Sequence, residues 1–381
     1  MAAKLVVVGG GIVGATIARE LTLRRHRVVL IEQGSLGGAV TGASLACLGT
    51  HMNSRAEIEI LKWSCAAWAE FDEALNHGID YVRRGQIRFI DCAEDIPVAR
   101  DWIEFERGAG IESTLLEPSE VRKIEPHLTG PIVAATWAPN AATVTPFLAV
   151  RAIVRDAIHK GLKIHSHTVV RDVIRCGDAV IGVRTDQGFI EADGIILAAG
   201  PWTPELAAMA GLDLPIQPRK AQCLATVGQP PIIRTVVAAC ESAGGVTAGY
   251  TQIQQAPAGQ ILFNTVLSGG VSKVGAQNAS SEVDADFVRN SIRQLLSLFP
   301  FLSDIELLRS WVRYEAVTPD DRFIVGSSGL PGLYIAAGDG GSGFGRAPAI
   351  ARVIADTIDG ATPPFDARVW RPDRFSLRVA A

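Results

Sequence analysis

Apolar residues recur along this chain with two different periods, and their alternation predicts the order of its elements. Residues 4–8 form a short, unbroken apolar run that reads as a buried strand. Residues 12–25 then carry Ile12, Val13, Ile17, Ala18 and Leu21 at helical spacing, and a second apolar run from Arg27 to Ile31 ends on Glu32. Strand, helix and strand in that order predict a parallel sheet at the start of the fold. Further on, Ile58, Ile60, Leu61, Trp63, Ala67, Trp68 and Phe71 give 57–76 the apolar side of a helix, and residues 84–90 alternate as a half-buried strand. Thr145-Pro146 predicts a helix start, with the hydroxyl as cap and Pro in the first turn; that helix runs to about His159 and Gly161 closes it. Leu162 to Val170 reads as a strand, 179–185 and 189–192 as a hairpin turned by Asp186-Gln187-Gly188, and Ile195 to Ala198 as a buried strand leading into Gly200. Residues 216–318 are richer in strand patterns and hold one helix near 284–298, while a last helix covers 347–358.

The length of 381 residues exceeds the usual size of one hydrophobic core, so two joined domains are expected. The element order predicts an α/β fold. A nucleotide-binding domain with a parallel sheet is assembled from 1–80, 145–215 and 319–365. A mostly antiparallel α+β substrate domain is inserted as 81–144 and 216–318, and 366–381 is a C-terminal tail.

Composition narrows the function classes. An apolar share of 48% with 20% charged residues is that of a soluble globular protein. The net charge of −4 and the lack of a long basic run exclude nucleic acid as an expected partner. No stretch reaches the roughly 20 apolar residues of a membrane helix. The first apolar run leads into Gly9-Gly10-Gly11 rather than a cleavage site, which favours a strand over a signal peptide. The six cysteines, Cys47, Cys65, Cys92, Cys176, Cys223 and Cys240, show no metal-ligand spacing and no disulfide framework. No metal is expected, and a reducing cytoplasm fits.

The chemistry begins at Gly9-x-Gly11-x-x-Gly14, placed between the first strand and the first helix. Gly9 allows a tight turn, Gly11 lets the backbone approach a pyrophosphate, and Gly14 lets the helix pack on the strand. Ile12 and Val13 open the helix, whose free N–H groups and dipole favour phosphate. Glu32, followed by Gln33, ends the second strand and can accept hydrogen bonds from a ribose 2′-OH. This is a Rossmann-like fingerprint in its proper context, and it fits NAD or FAD.

The rest of the chain separates the two cofactors. The small-residue run Gly37 to Ser44 follows Glu32 closely and includes Thr41, Gly42 and Ala43. It suits a flavin's ribityl–phosphate region better than a nicotinamide. Ala198-Ala199-Gly200-Pro201-Trp202 ends a second strand beside the dinucleotide. Gly338-Asp339-Gly340-Gly341-Ser342-Gly343-Phe344-Gly345 leads into a helix whose N-terminus can stabilise negative charge on a reduced flavin. At these four segments the chain resembles the D-amino-acid oxidase superfamily, the group that includes glycine oxidase and monomeric sarcosine oxidase, over nearly its whole length. The resemblance implies FAD, with Val170 binding the adenine side through its backbone and Gly338 to Phe344 lining the flavin ring. Ala199, Gly200, Trp202, Asp339, Gly341, Ser342 and Gly343 join the expected cofactor contacts in this way. It also implies oxidation of the C–N bond of a small amine or amino acid.

One stretch departs from the glycine-oxidase pattern. Those enzymes have Arg-Pro four residues after a strand Trp, where the Arg binds the substrate carboxylate; here Trp311 is followed by Glu315-Ala316. The wording Tyr314-Glu315-x-x-Thr318-Pro319-Asp320 is more similar to catalytic beta subunits of heteromeric sarcosine oxidases, proline dehydrogenases, opine oxidases and hydrogen cyanide synthase. That similarity implies partner subunits carrying further flavin or iron–sulfur centres. In a strand, Trp311, Arg313 and Glu315 share one face. Glu315 cannot hold a carboxylate, so Arg313, Lys220, Arg322 and Arg346 are the candidate cations. Glu315 is a candidate for a substrate cation, and His51 and Tyr250 are candidates for positions over the flavin. A self-sufficient oxidase producing peroxide and a non-catalytic flavin-bearing subunit stay open beside the heteromeric dehydrogenase.

Overall fold

The N-terminal apolar run forms the centre of a six-stranded sheet. The order across it is Ile324–Ser327, Leu333–Ala337, Gly194–Leu197, Lys4–Val8, Arg27–Ile31 and Lys163–His165. Every neighbouring pair is parallel except the first. A central parallel strand is covered on both faces, which is why Leu5 to Val8 shows no polar alternation. Leu5 and Val7 pack into one core with the helices Ile12–Leu23, Pro146–His159 and Gly343–Asp359. Val6 and Val8 face the other core, built from the three-stranded sheet Val170–Cys176, Ala179–Thr185 and Gly188–Glu191 and the helix Thr203–Met209. The computed structural model describes residues 2–240, 250–266, 280–338 and 340–375.

A second sheet has eight strands in the order Leu307–Val317, Gln217–Thr226, Ile261–Val266, Tyr250–Gln255, Val236–Ala239, Gln86–Ile90, Ala134–Ala138 and Thr114–Leu116. It is antiparallel except where Gln86–Ile90 meets Val236–Ala239. Leu224, Ile253 and Phe263 face the amphipathic helix Ala285–Leu298, which buries Phe287, Leu295 and Leu298 against them. The opposite face, carrying Cys223, Trp311 and Arg313, turns toward the Gly37–Ser44 run: Ala43 is the acceptor for all three. The first sheet draws its strands from 4–31, 163–197 and 324–337, and the second from 86–138 and 217–317.

Several local expectations are corrected. Thr145 does sit at a helix N-cap, but its hydroxyl donates to Asp80 Oδ2 at 2.8 Å instead of capping the helix. The strand expected over 162–170 stops at His165, because His167 takes a left-handed φ of 52°, and a new strand starts at Val170. The last helix begins at Gly343, four residues early. Gly343 and Gly345 are weak helix formers; here Trp68 Nε1 donates to the Phe344 carbonyl at 2.8 Å and pins the first turn. The helices Ile96–Gly108 and Pro118–Ile124 were not foreseen.

Residues 366–375, the described part of the expected tail, are also tied down. Trp370 is fully buried beside Phe323, and its Nε1 donates to Glu57 Oε1 at 2.5 Å. Arg346 holds the other Glu57 oxygen at 2.6 Å. Trp370→Ala leaves a large cavity and a buried carboxylate oxygen without its donor, and is expected to cost about 3–5 kcal/mol. A urea midpoint equal to that of the unaltered protein would show that this segment contributes nothing to the core.

Candidate cofactor-binding site

Parallel strands present their carboxyl ends together, and ligands of such sheets bind there. A cavity of about 360 Å³ lies at that edge and is lined by Val8, Ile31, Ala198, Ala336 and Ala337. These residues belong to or directly follow four adjacent strands, so the cavity crosses three strand spacings, roughly 14 Å.

Three glycines make the room. Gly9 has φ +113°, and a Cβ on it would come within 2.4 Å of the Ala198 carbonyl oxygen. A Cβ on Gly14 would lie 1.9 Å from the Gly9 carbonyl oxygen, so Gly14 serves the packing of helix on strand and does not line the cavity. Gly11 does line it, and its Cβ would meet only Thr41 Oγ1, at 3.0 Å. Thr41 Oγ1 accepts the Ile12 N–H at 3.0 Å. The Val13 N–H has no acceptor within the helix, and Val13 lines the cavity. The first turn of Ile12–Leu23 holds no acidic residue, which leaves the positive end of its dipole unopposed.

Glu32 is fixed by two backbone donors. Gly10 N–H reaches Oε2 at 2.7 Å and Gly34 N–H reaches Oε1 at 2.8 Å. Each oxygen keeps a lone pair for a further donor, and Glu32 and Gln33 line the cavity. Thr168, Val169, Val170 and Arg171 add a wall at this end, with Ala199, Gly200 and Trp202 nearby. Ser44, Arg313, Phe323, Gly341, Gly343 and Phe344 also line the cavity, which therefore reaches the N-terminus of Gly343–Asp359. That first turn also carries no acidic residue. A side-chain-free turn at one helix start, a preset carboxylate, apolar walls and a second helix start fit an FAD molecule.

Some expected contacts lie behind the wall. Gly42 packs under Phe147, whose ring atom would lie 2.3 Å from a Cβ there. Ala43 turns its carbonyl to Trp311 Nε1 at 3.0 Å and Arg313 NH1 at 2.8 Å. Gly338 has φ +89° and rests against Thr318. Ser342 sits at the N-cap of the last helix without a side-chain cap hydrogen bond. Asp339 lies outside the described residues.

The expectations for the substrate side change more. His51 is 1% exposed and does not line the cavity. Its Nδ1 faces Glu106 Oε2 at 2.9 Å and its Nε2 faces Thr136 Oγ1 at 2.7 Å, so both ring nitrogens are taken. Burial pushes His51 below its ordinary pKa, although the Glu106 carboxylate pulls the other way. Tyr250 opens the strand Tyr250–Gln255, and its side chain lies outside the described residues. Arg313 does line the cavity.

Glu315 does not line the cavity, and its carboxylate is not open to a substrate cation. Oε1 accepts from Arg313 Nε and NH2 at 3.1 and 3.0 Å, and Oε2 from Arg219 NH2 at 3.0 Å. Burial works to raise the Glu315 carboxyl, but the Arg313 and Arg219 guanidiniums outweigh it and hold it below its usual range. Among the other cations, Lys220 pairs with Asp284 at 2.8 Å and Arg346 with Glu57. Neither of these, nor Arg322, lines the cavity. Arg219 and Phe323 were missed. Arg219 could be found only from its cross-strand register with Glu315, and Phe323 carries no signature beyond its size.

Residues 4–357 match the family described as DAO, FAD dependent oxidoreductase. The chain belongs to that family. It is 26% identical to glycine oxidase of Geobacillus kaustophilus, with 94% of each chain covered. It is 25% identical to sarcosine oxidase subunit beta of an Arthrobacter species, over 93% of this chain and 86% of that one. Against 4-methylaminobutanoate oxidase (formaldehyde-forming) of Paenarthrobacter nicotinovorans the identity is 26%; 98% of this chain is aligned, but it spans only 46% of that protein's length. The fold superposes on L-proline dehydrogenase from P. horikoshii with a TM-score of 0.89 and 28% identity, covering 98% of both chains.

Gly9 and Gly11 separate folding from binding. Gly11 has φ −73°, open to any residue. Gly11→Val is expected to fold yet purify without FAD, because its side chain fills the cavity and crowds Thr41. Flavin absorbance per mole of folded protein checks this; full occupancy would place the pyrophosphate elsewhere.

Proposed function

We propose that this chain oxidises the C–N bond of a small amine or amino acid, with secondary amines such as sarcosine, a proline derivative or an opine favoured. The observation that carries the reading is that Arg313 and the start of Gly343–Asp359 line the same cavity. Bound FAD supplies the acceptor for a hydride from the carbon beside the substrate nitrogen. Gly9, Gly11, Ile12 and Val13 hold the pyrophosphate, Glu32 the ribose and Val170 the adenine side. Gly341, Gly343 and Phe344 border the flavin ring, and the adjoining helix dipole stabilises negative charge that arrives there. Among the described residues, Arg313 and Arg171 are the two cations lining the cavity. Arg171 stands beside Val170 at the adenine end, so Arg313 is the group for a substrate carboxylate. A neutral amine held there needs no further base to release a hydride. We read the two large sheets as the cofactor and substrate domains.

Glu315 in place of the glycine-oxidase Arg, with the likeness to a sarcosine oxidase subunit beta, supports a catalytic beta subunit that passes electrons to partner subunits. Two measurements test this. Heat-released cofactor should be FAD by mass, with no NAD. On a panel of sarcosine, proline, D-hydroxyproline, glycine and opines, turnover should be faster with an artificial dye than with oxygen. Stoichiometric peroxide at full rate from the isolated chain would sink the heteromeric reading and leave a self-sufficient oxidase.

Arg313→Met removes the proposed carboxylate partner. A charge-assisted hydrogen bond contributes about 1.5–3 kcal/mol, so kcat/KM should fall roughly ten- to a hundredfold for substrates with a carboxylate. Amines without one lack that contact, so in enzyme of equal FAD content the loss for carboxylate substrates should exceed theirs by that factor. An equal loss for both classes would show that Arg313 does not read the carboxylate.

A further inference from the structure

The Leu307–Val317 and Gln217–Thr226 strands place Arg219 directly opposite Glu315, with Arg313 two residues away on the same face. Two guanidiniums surround one carboxylate that is 6% exposed; Arg313 is buried with it, while Arg219 is partly exposed and its other end lies 3.8 Å from Asp321. Burying the Arg313–Glu315 pair is costly. The strands do not need it, since ten residue pairs already join them from Gln217↔Val317 to Thr226↔Leu307.

What the group reaches beyond its own strands is the cofactor cavity. Arg219 NH2 also donates to the Gly340 carbonyl at 3.0 Å, and the Gly340 N–H donates to the Ala316 carbonyl at 2.8 Å. Gly341 has φ +85°, and a Cβ on it would come within 2.6 Å of Glu315 Oε1. The carboxylate thus occupies the space a side chain would need, and the glycine turn is moulded on it. On the other side, Arg313 NH1 donates to the Ala43 carbonyl at 2.8 Å. Arg313 and Gly341 line the cavity, while Glu315 and Arg219 do not.

We propose that Glu315 is a positioning residue: by bridging Arg313 and Arg219 it fixes the Gly340–Gly341 turn and the Ala43 carbonyl in the shape that receives the flavin end of FAD. Arg219 is the outer brace of this device. The inference rests on the placement of the flavin proposed above and is independent of which amine is oxidised.

The test uses the holoenzyme and its Glu315→Gln, Arg219→Met and doubly substituted forms. FAD release on dilution is followed by flavin fluorescence, and the visible spectrum of the bound flavin is recorded. Both single variants are expected to release FAD about tenfold faster, since changes at a binding surface appear mainly in the off-rate. Both should shift the flavin spectrum in the same direction, and the double variant should be no worse than Glu315→Gln alone, as expected for residues acting as one unit. A purely structural role would lower thermal stability and leave the spectrum in place. The Arg219 side chain is 35% exposed, so Arg219→Met tests the device even if Glu315→Gln fails to fold. An unchanged release rate and spectrum in Arg219→Met overturns the proposal whatever Glu315→Gln does, as does full additivity of the two changes. Neither readout involves an amine, so a wrong substrate assignment would leave both results unchanged.

Discussion

Backbone meets backbone where the first strand ends. A Cβ on Gly9 would press within 2.4 Å of the Ala198 carbonyl oxygen, and one on Gly14 within 1.9 Å of the Gly9 carbonyl oxygen. Gly9 N–H donates to the Ile31 carbonyl and Ala198 N–H to the Val8 carbonyl, both at 2.8 Å. Three strands and a helix converge there without a side chain between them. The helix N-terminus is thereby brought to the rim of the sheet, and the trough for the dinucleotide opens along that rim. Any side chain at Gly9 or Gly14 would separate strand from helix before it touched a ligand.

The second sheet closes the trough from one side and does so mostly through carbonyl groups. Trp311 and Arg313 donate to Ala43, Gln254 Nε2 donates to the Leu45 carbonyl at 2.6 Å, and Arg219 donates to Gly340. Each of these donors sits on a strand, and each acceptor lies in a segment beside the cavity. Strands are stiffer supports than loops for such contacts. The polar residues Arg219, Gln254 and Arg313 on an otherwise buried face are explained by these acceptors.

The local parts of this site were legible. Gly9, Gly11, Gly14 and Glu32 form one strand–helix–strand unit whose geometry depends on neighbours in sequence. The α/β architecture and the largely antiparallel second sheet followed from the same periodicities. What failed was set by distant partners. Arg313, two residues away, takes one Glu315 oxygen, but the other is closed by Arg219, 96 residues away, which only the strand register brings near. His51 was a candidate for a place over the flavin, but Glu106, 55 residues on, and Thr136 take its ring nitrogens away from the cavity. The Thr145 hydroxyl has the right type for a cap, yet Asp80 competes for it. The early start of the last helix defies the low propensity of Gly343 and Gly345, because Trp68 holds Phe344 from outside.

The chain order of the first sheet bears on how the site comes into being. Its central strands, Lys4–Val8 and Gly194–Leu197, are 189 residues apart at the paired positions Leu5 and Gly194, and Leu333–Ala337 then pairs with Gly194–Leu197. Closing such long loops is slow compared with forming local helices. During synthesis the glycine motif precedes its far wall by a long stretch of chain; Arg27–Ile31 can cover one edge of Lys4–Val8, while the other waits for Gly194–Leu197. FAD capture therefore waits until Leu333–Ala337 has been made and paired. In that interval the edge of Lys4–Val8 that later meets Gly194–Leu197 is open to mispairing.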